Sequence, residues 1–173
     1  MTWFPSPYPD ELFYSVLCRY YLSSGIKEHY LVKKQLFGTK AGVKMATLYP
    51  NAAVHAVLSQ LPEGVFDGRD MILHHTPFLY YARMHPQQER EVLLDDLLQG
   101  RSKTPTHLWR TFPKGDYALR YCPLCIQEDT KIYGEAYYHV EHQIPLSSVC
   151  VRHRCRLKQI TIDNPRLALN NKF

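Results

Sequence analysis

The pattern of apolar and polar positions divides the chain into a helical part and a part with little helical rhythm. Prolines at 5, 7 and 9 in FPSPYP predict an extended opening segment carrying the aromatics Trp3, Phe4 and Tyr8. Asp10 and Glu11 then suit the positive end of a helix dipole. Leu12, Phe13, Val16, Leu17 and Tyr20 recur at three- and four-residue steps up to a stop at Ser23-Ser24-Gly25. A second helix is expected over 28–37, with a stripe of Leu31, Val32, Gln35 and Leu36 and an end at Gly38. A third is expected from Asn51 to the break at Pro62. Asp67 can cap 68–75, Pro77 interrupts before an apolar turn at 78–84, and Pro86 opens a helix that reaches Leu98 and closes at Gly100.

After Gly100 the texture changes. Residues 101–116 are rich in proline, polar turns and cations and read as a basic surface connector. From Tyr117 onward come short strand-like pieces, two cysteine-bearing knuckles and an aromatic stretch, YGEAYYHVEHQIP, between them. That half has too little apolar periodicity to be held by burial alone. The expected fold is mainly α: a bundle of short helices over 1–100, open to a helix-turn-helix-like arrangement, then a small zinc-stapled α+β module over 117–160. Residues 161–173 form a basic tail or the start of a further domain.

The staple is expected to be zinc. Cys122 and Cys125 form one pair with two intervening residues, Cys150 and His153 a second, and 24 residues separate them. A two-residue gap lets both side chains of a turn reach one tetrahedral ion, and two such turns make the closed set of three thiolates and one imidazole found in structural sites. Cys155, two residues past His153, and His139 and His142 between the pairs are the competing donors. Cys155 breaks the knuckle spacing and reads as a strand residue, while His142 reads as a hydrogen-bonding residue inside the finger. Cys18 lies on the apolar stripe of the first helix and reads as core.

Composition narrows the class. The chain has 173 residues, 45% hydrophobic and 21% charged, as in a soluble globular protein. Nothing approaches a membrane-spanning stretch. The opening MTWFPSPYPDEL lacks a basic region and a small-residue cleavage site, so a reducing compartment with free or metal-bound thiols is expected. The net charge of +5 is unevenly placed: residues 1–149 hold 15 basic and 15 acidic side chains, whereas 150–173 hold six basic residues against Asp163. Arg152, Arg154, Arg156 and Lys158 alternate with a two-residue period, which on a strand puts all four on one side, facing a polyanion. The competing reading is a solvated strand edge guarded by positive charge. Arg110 and Lys114 make a second candidate patch.

Catalytic readings fare poorly. A zinc deaminase needs H-x-E upstream of its P-C-x-x-C and an open coordination position. Here His139-Val140-Glu141 follows the cysteine pair, and Tyr121 stands where the proline belongs. No phosphate-cradling glycine loop, nucleophile elbow or paired carboxylate set is present. A zinc-dependent nuclease or hydrolase therefore ranks low, and a protein-only interaction module is the nearer alternative.

The opening FPSPYPDELFYSVLCRYYLSSGI, with its proline-rich lead-in, acidic start and S-x-x-x-R helix, resembles the start of the TniQ/TnsD family. RYCPLCIQEDTKIYGEAYYHVEHQIPLSSVCVRHRCRL resembles its metal motif: a Y-C-P-x-C knuckle, an aromatic helix, an H-Q-x-P turn and a C-x-x-H knuckle. The resemblance assigns one structural zinc ion to Cys122, Cys125, Cys150 and His153. It implies a non-catalytic selector of target sites for Tn-seven-like transposons, working in the bacterial cytoplasm on the nucleoid. The implied partners are double-stranded DNA or a CRISPR effector complex, and a TnsC-like AAA+ ATPase that brings the transposase. The length matches a compact TniQ or the N-terminal part of a TnsD, and FPSPYPDEL and RYCPLC favour the second. Trp3, Phe4 and Tyr8 are candidate partner anchors, Phe4 being the one better suited to packing on its own bundle.

Overall fold

The computed structural model describes residues 1, 3–38, 52–101 and 118–161. The basic connector with Arg110 and Lys114, and the tail beyond 161, lie outside the described residues. The order is α1 (Phe13–Ser24), α2 (His29–Phe37), α3 (Ala53–Leu58), α4 (Gly68–His74), α5 (Phe78–Ala82), α6 (Gln87–Leu98), β1 (Ala118–Tyr121), α7 (Pro123–Tyr133), α8 (Val140–Gln143) and β2 (Lys158–Thr161). It is a mostly helical fold with one small two-stranded sheet, as the sequence pattern predicts.

α1 is the axis of the helical part. Its expected stripe of Val16, Leu17 and Tyr20 is buried, and so are Tyr14, Ser15, Cys18 and Tyr21, so neighbours wrap it on most sides. It stops where Gly25 takes a left-handed φ of 66°, which glycine adopts without steric cost. Asp10 and Glu11 do not serve its dipole. The helix begins at Phe13 with no acid in its first turn, because Asp10 sits at φ 57° and the Glu11 side chain turns into the interior. In α2 the buried face is Val32, Leu36 and Phe37, while Leu31 and Gln35 face solvent. The buried face is therefore narrower than the expected stripe.

The later helices follow their punctuation. The Asp67 carboxylate accepts the Arg69 N–H and caps α4, and Pro86 stands at the N-cap of α6. α6 buries Leu93, Leu94 and Leu97. Gly100, at φ 64°, lets the chain turn beneath His55, whose ring a side chain there would strike. The His55 Nδ1 bonds the Leu98 carbonyl at 2.8 Å and fixes that turn.

In the second part, β1 and β2 pair antiparallel, Ala118 opposite Thr161 and Tyr121 opposite Lys158. Cys122 is the N-cap of α7 and Pro123 its first residue, so the first knuckle doubles as a helix start. The sequence reading did not single out α7. The helix within the aromatic stretch is short, only Val140–Gln143.

One apolar core joins both parts: the buried cluster that holds Leu17, Leu36, Ile72 and Leu94 also takes in Leu119, Tyr138 and Val140. The backbone is stitched at the same place. Leu12 N–H donates to the Tyr138 carbonyl at 2.7 Å and Val140 N–H to the Asp10 carbonyl at 2.8 Å, with Glu11 and His139 forming an antiparallel bridge. The opening segment packs on the molecule instead of standing free. Phe4 is buried between Tyr20 and Phe66, and Tyr8 lies against Tyr133 and Tyr137. Phe4 thus packs on its own bundle, the reading that suited it better, and the Tyr8 ring also has neighbours within the molecule. Trp3 stacks on Tyr20 with centroids 5.9 Å apart and stays half exposed. Among the described residues no helix is long and apolar enough to cross a membrane.

Candidate metal centre

Two turns bring four donors together. Cys122 follows β1 as the N-cap of α7, Cys125 lies in the first turn of α7, and residues 150–153 form a turn that presents Cys150 and His153. Each turn is closed by a backbone N–H on a sulfur: Cys125 N–H on Cys122 Sγ at 3.5 Å and His153 N–H on Cys150 Sγ at 3.4 Å. The His153 Nδ1 lies 3.3 Å from Cys125 Sγ, 3.5 Å from Cys122 Sγ and 3.7 Å from Cys150 Sγ. The Cys125 and Cys150 sulfurs are 3.7 Å apart. A tetrahedral ion with metal–sulfur bonds of ~2.3 Å and metal–nitrogen bonds of ~2.0 Å requires donor separations of about 3.5–3.8 Å. The donor atoms all lie within 4.8 Å of one another, so the residues present fit one metal ion.

Electrostatics point the same way. The three cysteines are buried, and burial together with neighbouring thiols pushes the Cys125 thiol up. Thiolates can gather in such a site when a cation neutralises them. The surroundings orient the donors. The Glu128 carboxylate on α7 lies 3.6 Å from His153 Nε2, the nitrogen turned away from the sulfurs. The His142 Nε2 lies 3.8 Å from Cys125 Sγ, and burial lowers its pKa to about 4, so a neutral ring can donate to sulfur. That matches the expected interior role of His142. Cys155 Sγ approaches Cys122 Sγ at 3.3 Å but is not among the four mutually close donors.

The centre hangs on a polar seam that sequence reasoning missed. The Arg19 guanidinium donates to Glu11 Oε2 and Glu135 Oε1, both at 2.8 Å, and to the Ser6 carbonyl, and lies 3.7 Å over the Tyr8 ring. Glu11 is fully buried, and burial raises its pKa to about 7 despite the Tyr8 N–H and Arg19. His139 sits between Asp129, 2.9 Å from its Nε2, and Asp10, 3.5 Å from its Nδ1. Burial opposes its charge, yet the two carboxylates prevail and raise its pKa to about 9. The S-x-x-x-R pattern was the only sequence signal for this seam. Ser15 Oγ accepts the Tyr138 N–H and Arg19 makes the ion pairs.

The four cations after Cys150 are all exposed, but they do not share one strand. Arg152 is in the turn and donates to Glu128 at 2.9 Å. Arg154 takes φ 52°, Arg156 bridges Val149, and Lys158 begins β2. The two-residue period therefore gives alternate exposure along a bent path, with Cys155 and Leu157 turned toward the metal cluster. Among the described residues, Arg154, Arg156 and Lys158 make no ion pair.

A mostly helical chain whose sheet and knuckles gather three cysteines and a histidine matches the TniQ family profile over residues 2–157, and the chain belongs to that family. It is similar, at 27% identity over 155 residues, to the transposon Tn7 transposition protein TnsD of Escherichia coli. That match covers 87% of this chain and 30% of the relative, so the chain spans about a third of that relative's length.

Proposed function

We propose that this chain is a target-selection module of a Tn7-like transposition system. In this reading it is an adaptor without catalytic chemistry that contacts duplex DNA and recruits a TnsC-like AAA+ ATPase. Cys122, Cys125, Cys150 and His153 hold one structural zinc ion, and no donor position is left for substrate. The observation that carries the DNA contact is the trio of exposed cations Arg154, Arg156 and Lys158, free of ion pairs among the described residues and mounted beside the metal cluster. Arg152 contributes less, because Glu128 already engages it. Trp3, half exposed at the opposite end of the extended arm from Tyr8, is the anchor offered to the ATPase.

Fluorescence anisotropy on a random duplex, titrated with salt, tests the reading. The logarithm of the affinity should fall linearly with that of salt, and charge removal at the three cations should flatten the slope. Affinity without salt dependence, or no affinity at low salt, would reject DNA contact and favour a protein-only module. Elemental analysis should return about one zinc per chain.

A further inference from the structure

The turn at Ile144–Ser147 carries a feature that neither the metal centre nor the free cations explain. Ser147 N–H closes it on the Ile144 carbonyl at 3.1 Å, with Pro145 second and Leu146 third. Leu146 takes φ 66°, a left-handed conformation that glycine or asparagine favours at the third position of such turns. Its side chain is 96% exposed. A bulky apolar residue is thus held in a disfavoured backbone state and pushed into water. Such states persist only where the surroundings enforce them, and they gather at binding sites.

The enforcement is visible. Arg120 donates through Nη2 to the Gln143 carbonyl at 2.7 Å and through Nη1 to the Ser147 carbonyl at 2.8 Å, clamping both sides of the turn. Gln143 returns two bonds to the Arg120 backbone, its Nε2 donating to the carbonyl at 2.8 Å and its Oε1 accepting the N–H at 3.0 Å. Beyond the turn the chain runs into the hairpin that bears the cations. Val149 stands opposite Arg156, so these two exposed side chains sit side by side on one face. Val151, 76% exposed, lies at the hairpin tip.

Resting on the DNA-binding reading above, we infer that Leu146 is a wedge that enters the minor groove and unstacks a base step while Arg154, Arg156 and Lys158 follow the flanking phosphates. Charge complementarity selects the occupant: an apolar crest bordered by unpaired cations fits a polyanion with an apolar interior, and base stacks supply both. A wedge must also be rigid, because unstacking a step costs free energy that a yielding loop would not transmit. The Arg120 clamp provides that rigidity.

The test uses the whole chain with a 30-base-pair duplex that has a central TA step and dyes at both ends. Wild type should bring the ends closer, and Leu146→Ala should bind about tenfold more weakly, with an unchanged salt slope and no end-to-end shortening. Arg154→Ala/Arg156→Ala/Lys158→Ala should lower the salt slope by about three units. Metal content and circular dichroism confirm that each variant is folded. Salt-dependent binding that Leu146→Ala leaves equally tight and equally bent would overturn the wedge and leave the DNA reading standing. No binding of the duplex by wild type would overturn both. Loss of ATPase capture in Leu146→Ala with DNA affinity and bending intact would assign the crest to a protein partner and reject the wedge.

Discussion

The two parts of this molecule reach a fixed shape by different means. Around α1 the chain buries Leu17, Tyr20, Leu36, Ile72 and Leu94 among one another, and helix ends need only Gly25, Asp67 or Pro86 to stop or start them. Around the metal cluster the buried side chains are Cys122, Cys125, Cys150 and the polar His142, with Cys155 and Leu157 packed beside them. The first part can lose one apolar contact and keep its form. The second shares that core through Leu119, Tyr138 and Val140, and around its knuckles it adds four donors that fit one ion. Where apolar residues are few, four donors within reach of one ion can supply rigidity that packing supplies in the first part.

The sharpest way to break that contrast is at the ligands. Cys122→Ser or Cys150→Ser, or chelation of the metal, should unfold residues 118–161, a loss on the order of 5 kcal/mol or more, because binding and folding are coupled there. Hydrogen exchange should show fast amides in α7 and β2 with slower ones retained in α1. Uniform protection in a metal-free protein would show that packing, not the ion, holds this part. Next in size is Leu36→Ala in α2, expected to cost about 2–5 kcal/mol through the cavity it leaves. Zinc content should stay unchanged in that variant, and coupled loss of metal would erase the distinction between the two parts.

A smaller effect tests the seam between them. His139 has its folded pKa raised to about 9 from an ordinary 6.5. Its stabilising contribution is therefore complete below pH 6.5 and is lost as pH rises through 9, on the order of 3 kcal/mol. His139→Gln should flatten the denaturation midpoint between pH 6.5 and 9. A wild-type midpoint that does not fall over this window would mean that Asp10 and Asp129 do not hold an imidazolium. The smallest effect is expected at Cys155, which lies near Cys122 but outside the four donors. Cys155→Ser should keep its zinc and change stability by less than about 1 kcal/mol. Zinc release by this variant, with retention in His153→Ala, would exchange the two ligands.

Local rules account for what the sequence made legible. Helix boundaries followed glycine, proline and capping aspartate, and the metal donors followed the two-residue gap that a turn requires. What stayed hidden depends on partners that the helical pattern does not single out. Glu11 reads as a helix-start carboxylate, and only the arrival of Arg19 and the Tyr8 N–H turns it inward. The stripe on α2 looked wider than it is because Leu31 and Gln35 stay exposed, Gln35 meeting α1 through the hydrogen bond it accepts from Tyr20. The cation path looked like a strand, since nothing in Arg152–Lys158 announces the turn that His153 must make to reach three sulfurs. Leu146 carries no local signal for its left-handed state, which Arg120 imposes from β1.

The stitch between the opening arm and the second part sets an order of events during synthesis. Tyr8 bonds Glu135 across 127 positions, and Leu12 pairs with Tyr138. The arm thus waits for residues 135–138 to be made before these hydrogen bonds can close. Such long-range pairing slows folding, because a large loop must be closed before its contacts form. Until then Tyr8 lacks Glu135, Tyr133 and Tyr137, whereas Phe4 already has Tyr20 and Phe66 to pack on. The knuckles at 122–125 and 150–153 flank Tyr138 and His139, so an ion held by the four donors would order the stretch that pairs with the arm.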